Sequence, residues 1–375
     1  MKNTVIVVGG GIMGASAAYW LSRLGRQVTV LDQSDVPNRH SASGDQLRTF
    51  RMTYGKDAFY TEMAAKSLPL WLDLCQQSSD KFLVQNGFLD LAVQAHGYEE
   101  HCLKVLKELR VPCTVLDKED LHRHYPMMNS RAFRFGLLHC SGGMIWAMRA
   151  VSSILGLAQR KGVRVRSRVR VVSLLKTHGA IKALKDSAGK VWEAENFLFA
   201  PGAWTTDLLK GYRLPLRVTR QQQLYLRPPC NRGRYRPEHF PPFYVPSQGF
   251  YGFPLHIHGF MKIAQSRKGP PGRPGDVPER EITPQFERQT RAFLRRFIPE
   301  LANFTEGEGH VCYYANTKDN DFIVDRLPDA ANGFLMAGFS GHGFKFAPLL
   351  GQALAQLVIG GKPDLNLHRF RLGRF

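Results

Sequence analysis

The chain has 375 residues, of which 43% are hydrophobic, and its composition excludes a low-complexity or collagen-like protein. Its six cysteines are scattered without a CxxC pair, which argues against a disulfide framework and predicts a reducing, cytoplasmic location. The formal charge of +20 favours anionic partners, but no RNA-recognition signature accompanies it, so a solvated basic surface is the simpler interpretation.

The first segment predicts a dinucleotide-binding βαβ unit. The β-branched run TVIVV is typical of a buried parallel strand, and Gly9, Gly11 and Gly14 follow it in the spacing GxGxxG. A helical pattern, ASAAYWLSRL, ends at Gly25, and the strand QVTVLD ends at Asp32, about 20 residues past the glycines. Strand, turn, helix, strand and acid together predict this unit much more strongly than the glycines alone.

Each position of this unit has a physical role. Gly9 permits a tight turn, Gly11 lets the backbone approach a pyrophosphate, and Gly14 lets the helix pack on the strand. Ile12 and Met13 lie between the glycines, just before the predicted helix, whose unpaired N–H groups would stabilise the phosphates. Asp32 would accept hydrogen bonds from ribose hydroxyls. The motif does not separate NAD from FAD.

Two later segments repeat the strand-then-glycine pattern. In ENFLFAPGAW, the strand from Phe197 to Ala200 leads into Gly202 and Trp204. In FLMAGFSGHGFKF, another strand leads into the glycines at positions 338, 341 and 343 and then into a helix. Three widely spaced glycine turns favour one large cofactor that runs through the fold. The Pro- and Gly-rich stretches at 227–242 and 266–281 are predicted to be loops.

The segment FYGFPLHIHGFMKIAQS predicts a strand that carries a buried cation. Alternation places Lys262, Ala264 and Ser266 on one face, and Lys262 is expected to be partly buried. His256 and His258 could share a strand face, but no third ligand is evident, so we predict no metal site.

Several motifs together resemble one enzyme family. VCYYANTKDNDFIVD followed by AGFSGHGFKF is similar to the C-terminal part of the FAD-dependent amine oxidases that include monomeric sarcosine oxidase, N-methyltryptophan oxidase and pipecolate oxidase. The GxGxxG, GDQLRTFRMTYG, PGAW and YGFP segments occur in that family's order, so the resemblance covers essentially the whole chain.

The resemblance implies an α/β fold with two interleaved domains. An FAD-binding, Rossmann-like domain would combine residues 1–85, 145–212 and 308–375. An α+β substrate domain, comprising 86–144 and 213–307, would be built on a mixed or antiparallel sheet that roofs the pocket.

The resemblance also implies how FAD is held. The family attaches its flavin to a cysteine sulfur, and Cys312 matches that cysteine; the alternative is a small buried hydrophobic residue. Attack by the thiolate would need a lowered pKa or nearby positive charge. The cofactor-binding residues implied are Gly9, Gly11, Ile12, Met13, Gly14, Asp32, Ser43, Arg48, Gly202, Trp204, Cys312, Gly338, Gly341, His342, Gly343, Phe344 and Lys345.

On the substrate side, the resemblance implies a carboxylate clamp formed by Arg51 and Lys345, with Arg48 nearer the flavin. The two arginines are three residues apart, so one helical turn would place both on one face. Tyr251 would line the pocket. Tyr314 would contact the substrate, with aromatic core packing as the alternative.

Lys262 matches the lysine that activates oxygen in the family. A lone ammonium ~4 Å from a new superoxide charge gains ~4 kcal/mol at an effective dielectric of about 20. That energy corresponds to roughly three powers of ten in rate. Ser266 stands where sarcosine oxidase has a histidine, which makes sarcosine itself a doubtful substrate.

The predicted reaction is oxidation of a secondary, N-methyl or cyclic α-amino acid to an imine, with O2 reduced to H2O2. The alternatives are a flavin dehydrogenase with another electron acceptor and an RNA-modifying flavin oxidase. An NAD-dependent dehydrogenase would leave Cys312 and the last glycine segment unexplained. We expect a monomer that is not embedded in a membrane and does not bind nucleic acid.

Overall fold

The computed structural model describes residues 3–228, 232–276 and 281–375. Cys230 and part of each predicted Pro- and Gly-rich loop lie outside these residues; the other five cysteines are free. No helix within the described ranges is long and apolar enough to cross a membrane.

The described residues form twenty strands and nine α-helices. The strands, in chain order, are β1 (Thr4–Val8), β2 (Gln27–Leu31), β3 (Leu47–Phe50), β4 (Leu83–Val84), β5 (Phe88–Ala92), β6 (Cys113–Leu116), β7 (Phe135–His139), β8 (Gly143–Trp146), β9 (Arg164–Arg166), β10 (Val171–Thr177), β11 (Ala180–Asp186), β12 (Val191–Glu193), β13 (Asn196–Phe199), β14 (Arg217–Leu226), β15 (Phe243–Val245), β16 (Phe250–Gly252), β17 (Met261–Gln265), β18 (Gly307–Asn316), β19 (Ile323–Leu327) and β20 (Ala330–Ala337). The helices are α1 (Ile12–Arg23), α2 (Ala58–Ser78), α3 (Tyr98–Glu108), α4 (Lys118–His124), α5 (Ala147–Arg160), α6 (Thr205–Leu208), α7 (Pro284–Phe297), α8 (Pro299–Ala302) and α9 (Ala347–Val358).

A six-stranded sheet carries the predicted dinucleotide unit, in the order β19-β20-β13-β1-β2-β9. Its strands run parallel except for β19, which pairs antiparallel with β20. The small residues of α1 let this helix pack against α5 and α9, and their apolar faces form the largest core cluster. The predicted βαβ start is confirmed, and Gly25 follows α1 in a left-handed conformation at φ 74°.

An eight-stranded mixed sheet forms the second layer, in the order β18-β14-β17-β16-β15-β5-β7-β6. One face packs on α7 and α8 through Leu89, Leu91, Phe243 and Val245. Alternation sends the side chains between them to the other face, where Asp90 and Tyr244 occupy paired positions. β18 belongs to this sheet, although it falls in the region that the sequence assigned to the FAD domain.

A small antiparallel sheet, β3-β8-β4, corrects one prediction. Residues 47–50 form a strand paired with β8, so the interpretation of Arg48 and Arg51 as one helical turn is wrong. β-Branched and aromatic residues at Thr49 and Phe50 suit a strand, and Phe50 is fully buried. Arg48 lies on the strand, whereas Arg51 follows its end and is turned towards a different set of neighbours.

Candidate active site

A cleft of about 1490 Å³, including its open mouth, lies at the carboxyl ends of β1, β2, β13 and β20. This edge of a parallel sheet is where α/β proteins bind nucleotides. The predicted site residues in its wall are Gly9, Gly11, Ile12, Met13, Asp32, Ser43, Arg48, Gly202, Trp204, Tyr314, Gly338, Gly341, Gly343 and Phe344. Gly14, Cys312, His342 and Lys345, together with Arg51, Tyr251 and Lys262, lie outside the wall of this cleft.

The glycine turn of α1 fits a dinucleotide. Gly9 has φ 103°, and a Cβ there would clash with the carbonyl of Ala200. A Cβ on Gly14 would collide with the carbonyl oxygen of Gly9, so this glycine serves helix–strand packing as predicted. Gly11 caps α1 without a side-chain hydrogen bond, which leaves the helix N-terminus facing the cleft.

Asp32, the predicted ribose-binding acid, directly follows β2 and lies in the cleft wall. Its carboxylate accepts hydrogen bonds from the backbone N–H of Gly10 at 2.7 Å and of Ser34 at 2.9 Å. Burial raises the pKa of Asp32, although these hydrogen bonds favour the ionised form. Together with the open space at Gly202, these features fit an FAD, which would lie along the glycine turns with its ribose near Asp32.

A buried carboxylate, Asp45, joins the two cations on the inner side of the cleft. It accepts hydrogen bonds from Arg48, from Lys262 Nζ and from the hydroxyl of Tyr225. Lys262 is 1% exposed, and its ammonium also lies 3.3 Å from the Leu47 carbonyl. The expectation of a lone, partly buried lysine is therefore wrong: Lys262 is fully buried and paired.

Within the cluster of Asp45, Arg48 and Lys262, burial and the neighbouring charges shift the pKa values in opposite directions. Burial alone would raise the pKa of Asp45, but Lys262 and Arg48 hold it well below its usual value, so the carboxylate is ionised. Burial and Arg48 lower the pKa of Lys262 despite Asp45. With both cations charged, the three groups leave a net single positive charge beside the cleft.

Cys312 lies on β18 and is 3% exposed. Its sulfur accepts a hydrogen bond from the amide of Gln223 at 3.1 Å. Burial raises the pKa of the thiol, while Arg48 and Lys262 act to lower it. The predicted nearby positive charge is present, but the thiol pKa is raised rather than lowered.

Tyr251 and Tyr314 form an aromatic wall next to this cluster. Tyr251 lies on β16 with its ring centroid 6.0 Å from Lys262 Nζ, and Tyr314 is near enough to influence its pKa. Burial raises the pKa of both phenols, that of Tyr251 to about 12, so both are neutral near pH 7. Because Tyr314 also lines the cleft, its side chain borders the open space as well as the core.

Arg51 and Lys345 meet on one aromatic ring. The Cζ of Arg51 is 4.4 Å from the centroid of Tyr54, and Lys345 Nζ donates to the hydroxyl of Tyr54 at 2.8 Å. Arg51 also donates to the hydroxyl of Tyr98 at 2.7 Å. Burial, and to a smaller extent the charge of Arg51, lower the pKa of Lys345 well below its usual value. Two confined cations on one ring can hold a carboxylate.

Ser266 and the histidines occupy other positions. Ser266 is exposed and shares a 3.1 Å hydrogen bond with the hydroxyl of Tyr244. His256 and His258 lie in a turn before β17 rather than on a strand face. No cluster of three potential metal ligands occurs in the part of the chain that the structure describes. His342 packs against Phe322 and Tyr60 in an aromatic cluster, and its Nε2 lies 3.0 Å from the Asn320 carbonyl.

Comparison with known proteins identifies the family. The profile described as FAD dependent oxidoreductase, DAO, matches residues 4–357. The chain belongs to this family.

Curated relatives of this FAD-dependent oxidoreductase cover almost its whole length. Peroxisomal sarcosine oxidase of Homo sapiens is 30% identical, covering 99% of this chain and 95% of its own. Monomeric sarcosine oxidase of Bacillus sp. (strain B-0618) is 27% identical with the same coverage. N-methyl-L-tryptophan oxidase of Escherichia coli O81 (strain ED1a) is 28% identical over all of both chains.

Solved structures share the fold of this oxidoreductase. L-proline dehydrogenase from P. horikoshii superposes with a TM-score of 0.87 at 21% identity, covering 100% of this chain and 98% of its own. Amadoriase I from Aspergillus fumigatus gives a TM-score of 0.83 at 23% identity, covering 99% and 90%. The predicted family and fold class are confirmed.

Five site residues escaped prediction from the sequence: Asp45, Tyr54, Asp90, Tyr98 and Tyr225. Asp45 and Tyr54 lie within the arginine segment GDQLRTFRMTYG, so their proximity to Arg48 and Arg51 was a usable signal. Tyr225 reaches Asp45 across 180 residues of sequence, and no local pattern indicates that contact.

Proposed function

We propose that this FAD-dependent oxidoreductase oxidises a secondary α-amino acid whose carboxylate is held by Arg51 and Lys345. The observation that carries the proposal is the pair of buried basic groups, Arg51 and Lys345, on the ring of Tyr54. Arg48, three residues before Arg51, lies in the wall of the glycine-lined cleft. The relatives named as sarcosine and N-methyltryptophan oxidases act on amino acids of this class.

The chain's own residues would orient the substrate and set its protonation. Arg51 and Lys345 would fix one end, and the neutral phenols of Tyr251 and Tyr314 would bound the other. The excess of positive charge lowers the pKa of a bound amine, which favours the unprotonated amine needed for oxidation. The chemistry that FAD would supply is removal of a hydride from the carbon next to the nitrogen; the resulting iminium gives the imine when it loses its N–H proton.

We further propose that Cys312 bonds covalently to the flavin and that Lys262 assists the reaction with oxygen. Arg48 and Lys262 both favour the thiolate of Cys312, and Tyr314, two residues further along β18, lines the cleft. Lys262 supplies a fixed positive charge where electrons would pass to O2, with H2O2 as product. We propose a monomeric, cytoplasmic enzyme. The free cysteines support a reducing compartment, and relatives named monomeric support a single chain.

A dehydrogenase with another electron acceptor is the second candidate. The ion pair of Lys262 with Asp45 favours it, because the carboxylate offsets part of the charge that would stabilise superoxide. An RNA-modifying oxidase has no comparable structural observation in its favour.

The test is a screen of N-methyl and cyclic amino acids by oxygen electrode and peroxide assay. Each amino acid is paired with the amine that lacks its carboxylate. We expect oxygen consumption with peroxide for a secondary amino acid and none for its decarboxylated partner. Substrate-dependent reduction of an artificial dye without oxygen uptake would favour the dehydrogenase. Equal turnover of the decarboxylated amines would contradict the carboxylate clamp.

A further inference from the structure

A buried acid, Asp90, lies behind the proposed carboxylate clamp. It is on β5, fully buried, on the sheet face opposite the core residues Leu89 and Leu91. Among the described residues, none makes a hydrogen bond of normal geometry to either carboxylate oxygen. The hydroxyl of Thr53 interacts with it only weakly. A buried carboxylate without good partners is costly when ionised, so this position calls for an explanation.

Arg51 is the cation that acts on Asp90. Its Cζ lies 5.7 Å from the ring centroid of Tyr244, the residue paired with Asp90 on the neighbouring strand. Its charge favours the ionised carboxylate of Asp90, although the two groups form no direct ion pair. Arg51 is held in place by hydrogen bonds to the Thr53 carbonyl and to the hydroxyl of Tyr98. The guanidinium of Arg51 would therefore be the counter-charge of Asp90 and, by the proposed function, also of the substrate carboxylate.

We propose that Asp90 is the counter-charge of Arg51 in the free enzyme and takes up a proton from solvent when a carboxylate binds. The inference rests on the proposed role of Arg51. A second negative charge beside Arg51 repels the ionised Asp90, and protonation removes that repulsion. The substrate carboxylate remains ionised throughout, so one proton moves from water to Asp90 and no other bond changes.

Three ionisable groups around Asp90 stay neutral and would not take up the proton in its place. Burial raises the pKa of Asp90 to about 7. The phenol of Tyr98 and the thiol of Cys102 on α3 have raised pKa values and stay neutral. On β7, burial lowers the pKa of His139 to about 3, so its imidazole is also neutral.

Two further ionisable groups near Asp90 have shifted pKa values. Glu99 on α3 is buried, and burial raises its pKa. Lys345 has a lowered pKa and contacts the same Tyr54 ring as Arg51, so its deprotonation would also weaken carboxylate binding as pH rises. Tyr244, beside Asp90 on β15, contributes its hydroxyl to Ser266. Variants of Glu99 and Lys345 are therefore the necessary controls.

The sign of the effect follows from the charges. Below the pKa of Asp90 in the free enzyme the acid is neutral, and a carboxylate binds without repulsion. As pH rises, binding must first protonate Asp90, so affinity falls until the pKa of the complex is passed. A rise of one pKa unit on binding gives a fall approaching tenfold and an uptake of about half a proton near pH 7.5.

The experiment measures binding of cyclopentanecarboxylate, which lacks an amine, to the FAD-loaded enzyme between pH 6 and 9. Calorimetry in two buffers with different ionisation enthalpies counts protons taken up. Cyclopentanecarboxamide is the uncharged control ligand. We expect proton uptake and a several-fold fall in affinity with rising pH for the carboxylate, and neither for the carboxamide.

Three variants identify the residue that takes up the proton. Asp90→Asn should match the parent at pH 6, bind more tightly than the parent at pH 9, and take up no proton. Glu99→Gln should still take up the proton, with its pH dependence moved to lower pH because Glu99 raises the pKa of Asp90. Lys345→Met should bind more weakly but still take up the proton. Full uptake in Asp90→Asn, or none in the parent enzyme, would overturn the inference; the parent measurement needs no variant to fold.

Arg51→Met separates this inference from the proposed function. If carboxylate affinity survives in Arg51→Met, the clamp itself is wrong. If Arg51→Met loses binding while Asp90→Asn keeps the parent pH dependence, the clamp stands and only the role of Asp90 fails.

Discussion

Asp45 sets how much positive charge faces the FAD cleft. Without it, Arg48 and Lys262 would be two buried cations close together, which is costly. With it, one net positive charge remains beside the cleft, and the hydroxyl of Tyr225, on the strand next to that of Lys262, donates a hydrogen bond to the carboxylate. If Lys262 assists the oxygen reaction as proposed, stability and oxygen chemistry would depend on the same three charges.

Lys262→Met should slow the reaction of reduced enzyme with oxygen by roughly 10² to 10³, because it removes a fixed charge worth several kcal/mol. Reduction by substrate should change far less. Stopped-flow mixing of reduced enzyme with oxygenated buffer measures the first rate, and anaerobic mixing measures the second. The exposed Lys318→Met is the control. Reoxidation of Lys262→Met at the parent rate would remove this lysine from the oxygen reaction.

Asp45→Asn should reduce the free energy of unfolding by about 3–5 kcal/mol at pH 7, because Lys262 and Arg48 lose their buried counter-charge. Urea denaturation of flavin-free protein measures the change. Asp329→Asn is a matched control, since Asp329 is exposed and has φ 55°, a conformation that asparagine tolerates. A loss below about 1 kcal/mol would mean that the cluster is not held by its ion pairs.

At the scale of elements, the glycine turn before α1 connects the sheet to the cofactor site. Gly14→Ala places a methyl group against the Gly9 carbonyl, so α1 must shift away from β1. Gly156→Ala in α5 meets no atom within 4 Å. The two substitutions are chemically the same, and their surroundings should decide their effects.

We expect Gly14→Ala to destabilise the protein by several kcal/mol and to weaken FAD binding, because overpacking displaces the helix N-terminus. Gly156→Ala should instead stabilise it by up to about 1 kcal/mol through helix propensity. Denaturation curves and FAD titration of flavin-free protein test both. Equal effects of the two substitutions would contradict the packing explanation of the GxGxxG spacing.

Some elements could be predicted from the sequence and others could not. The unit from β1 to β2 was predictable, because its strand pattern, glycines and acid all lie within 30 residues of each other. The short strand β3 was not, since its pairing partner β8 lies about a hundred residues further along the chain. Periodicity over four residues cannot separate a strand from a helical turn.

The site residues follow the same division. Lys262 was found through a family resemblance, but its partner Asp45 is 217 residues away and no local pattern joins them. Asp90 is buried on the sheet face away from α7. Alternation along β5 alone does not reveal which of the two faces α7 covers. Sequence thus indicated the chemical groups, and the tertiary contacts determine their charges.

At the scale of the whole molecule, the cofactor would join the two large sheets. The cleft lies at the edge of the six-stranded sheet, whereas Cys312 is on β18 of the eight-stranded sheet. A flavin bonded to Cys312 would cross from one sheet to the other. The cofactor should therefore contribute to the stability of the whole fold.

Cys312→Ser should bind FAD without a covalent bond, so that acid precipitation releases the yellow colour that the parent protein retains. Its unfolding temperature should rise as FAD is added, by an amount equivalent to about 2.7 kcal/mol at a hundredfold excess over Kd. Cys75→Ser, away from the cleft, is the control and should keep its colour. Release of all colour from acid-treated parent protein would exclude covalent attachment.

The most direct test of the carboxylate clamp is anaerobic reduction of the enzyme-bound flavin. A secondary amino acid found active in the screen is compared with its decarboxylated amine, in the parent enzyme, in Arg51→Met and in the exposed control Arg288→Met. We predict rapid bleaching only by the amino acid, lost in Arg51→Met and kept in Arg288→Met. Equal bleaching by both compounds, or an unaffected Arg51→Met enzyme, would contradict the account.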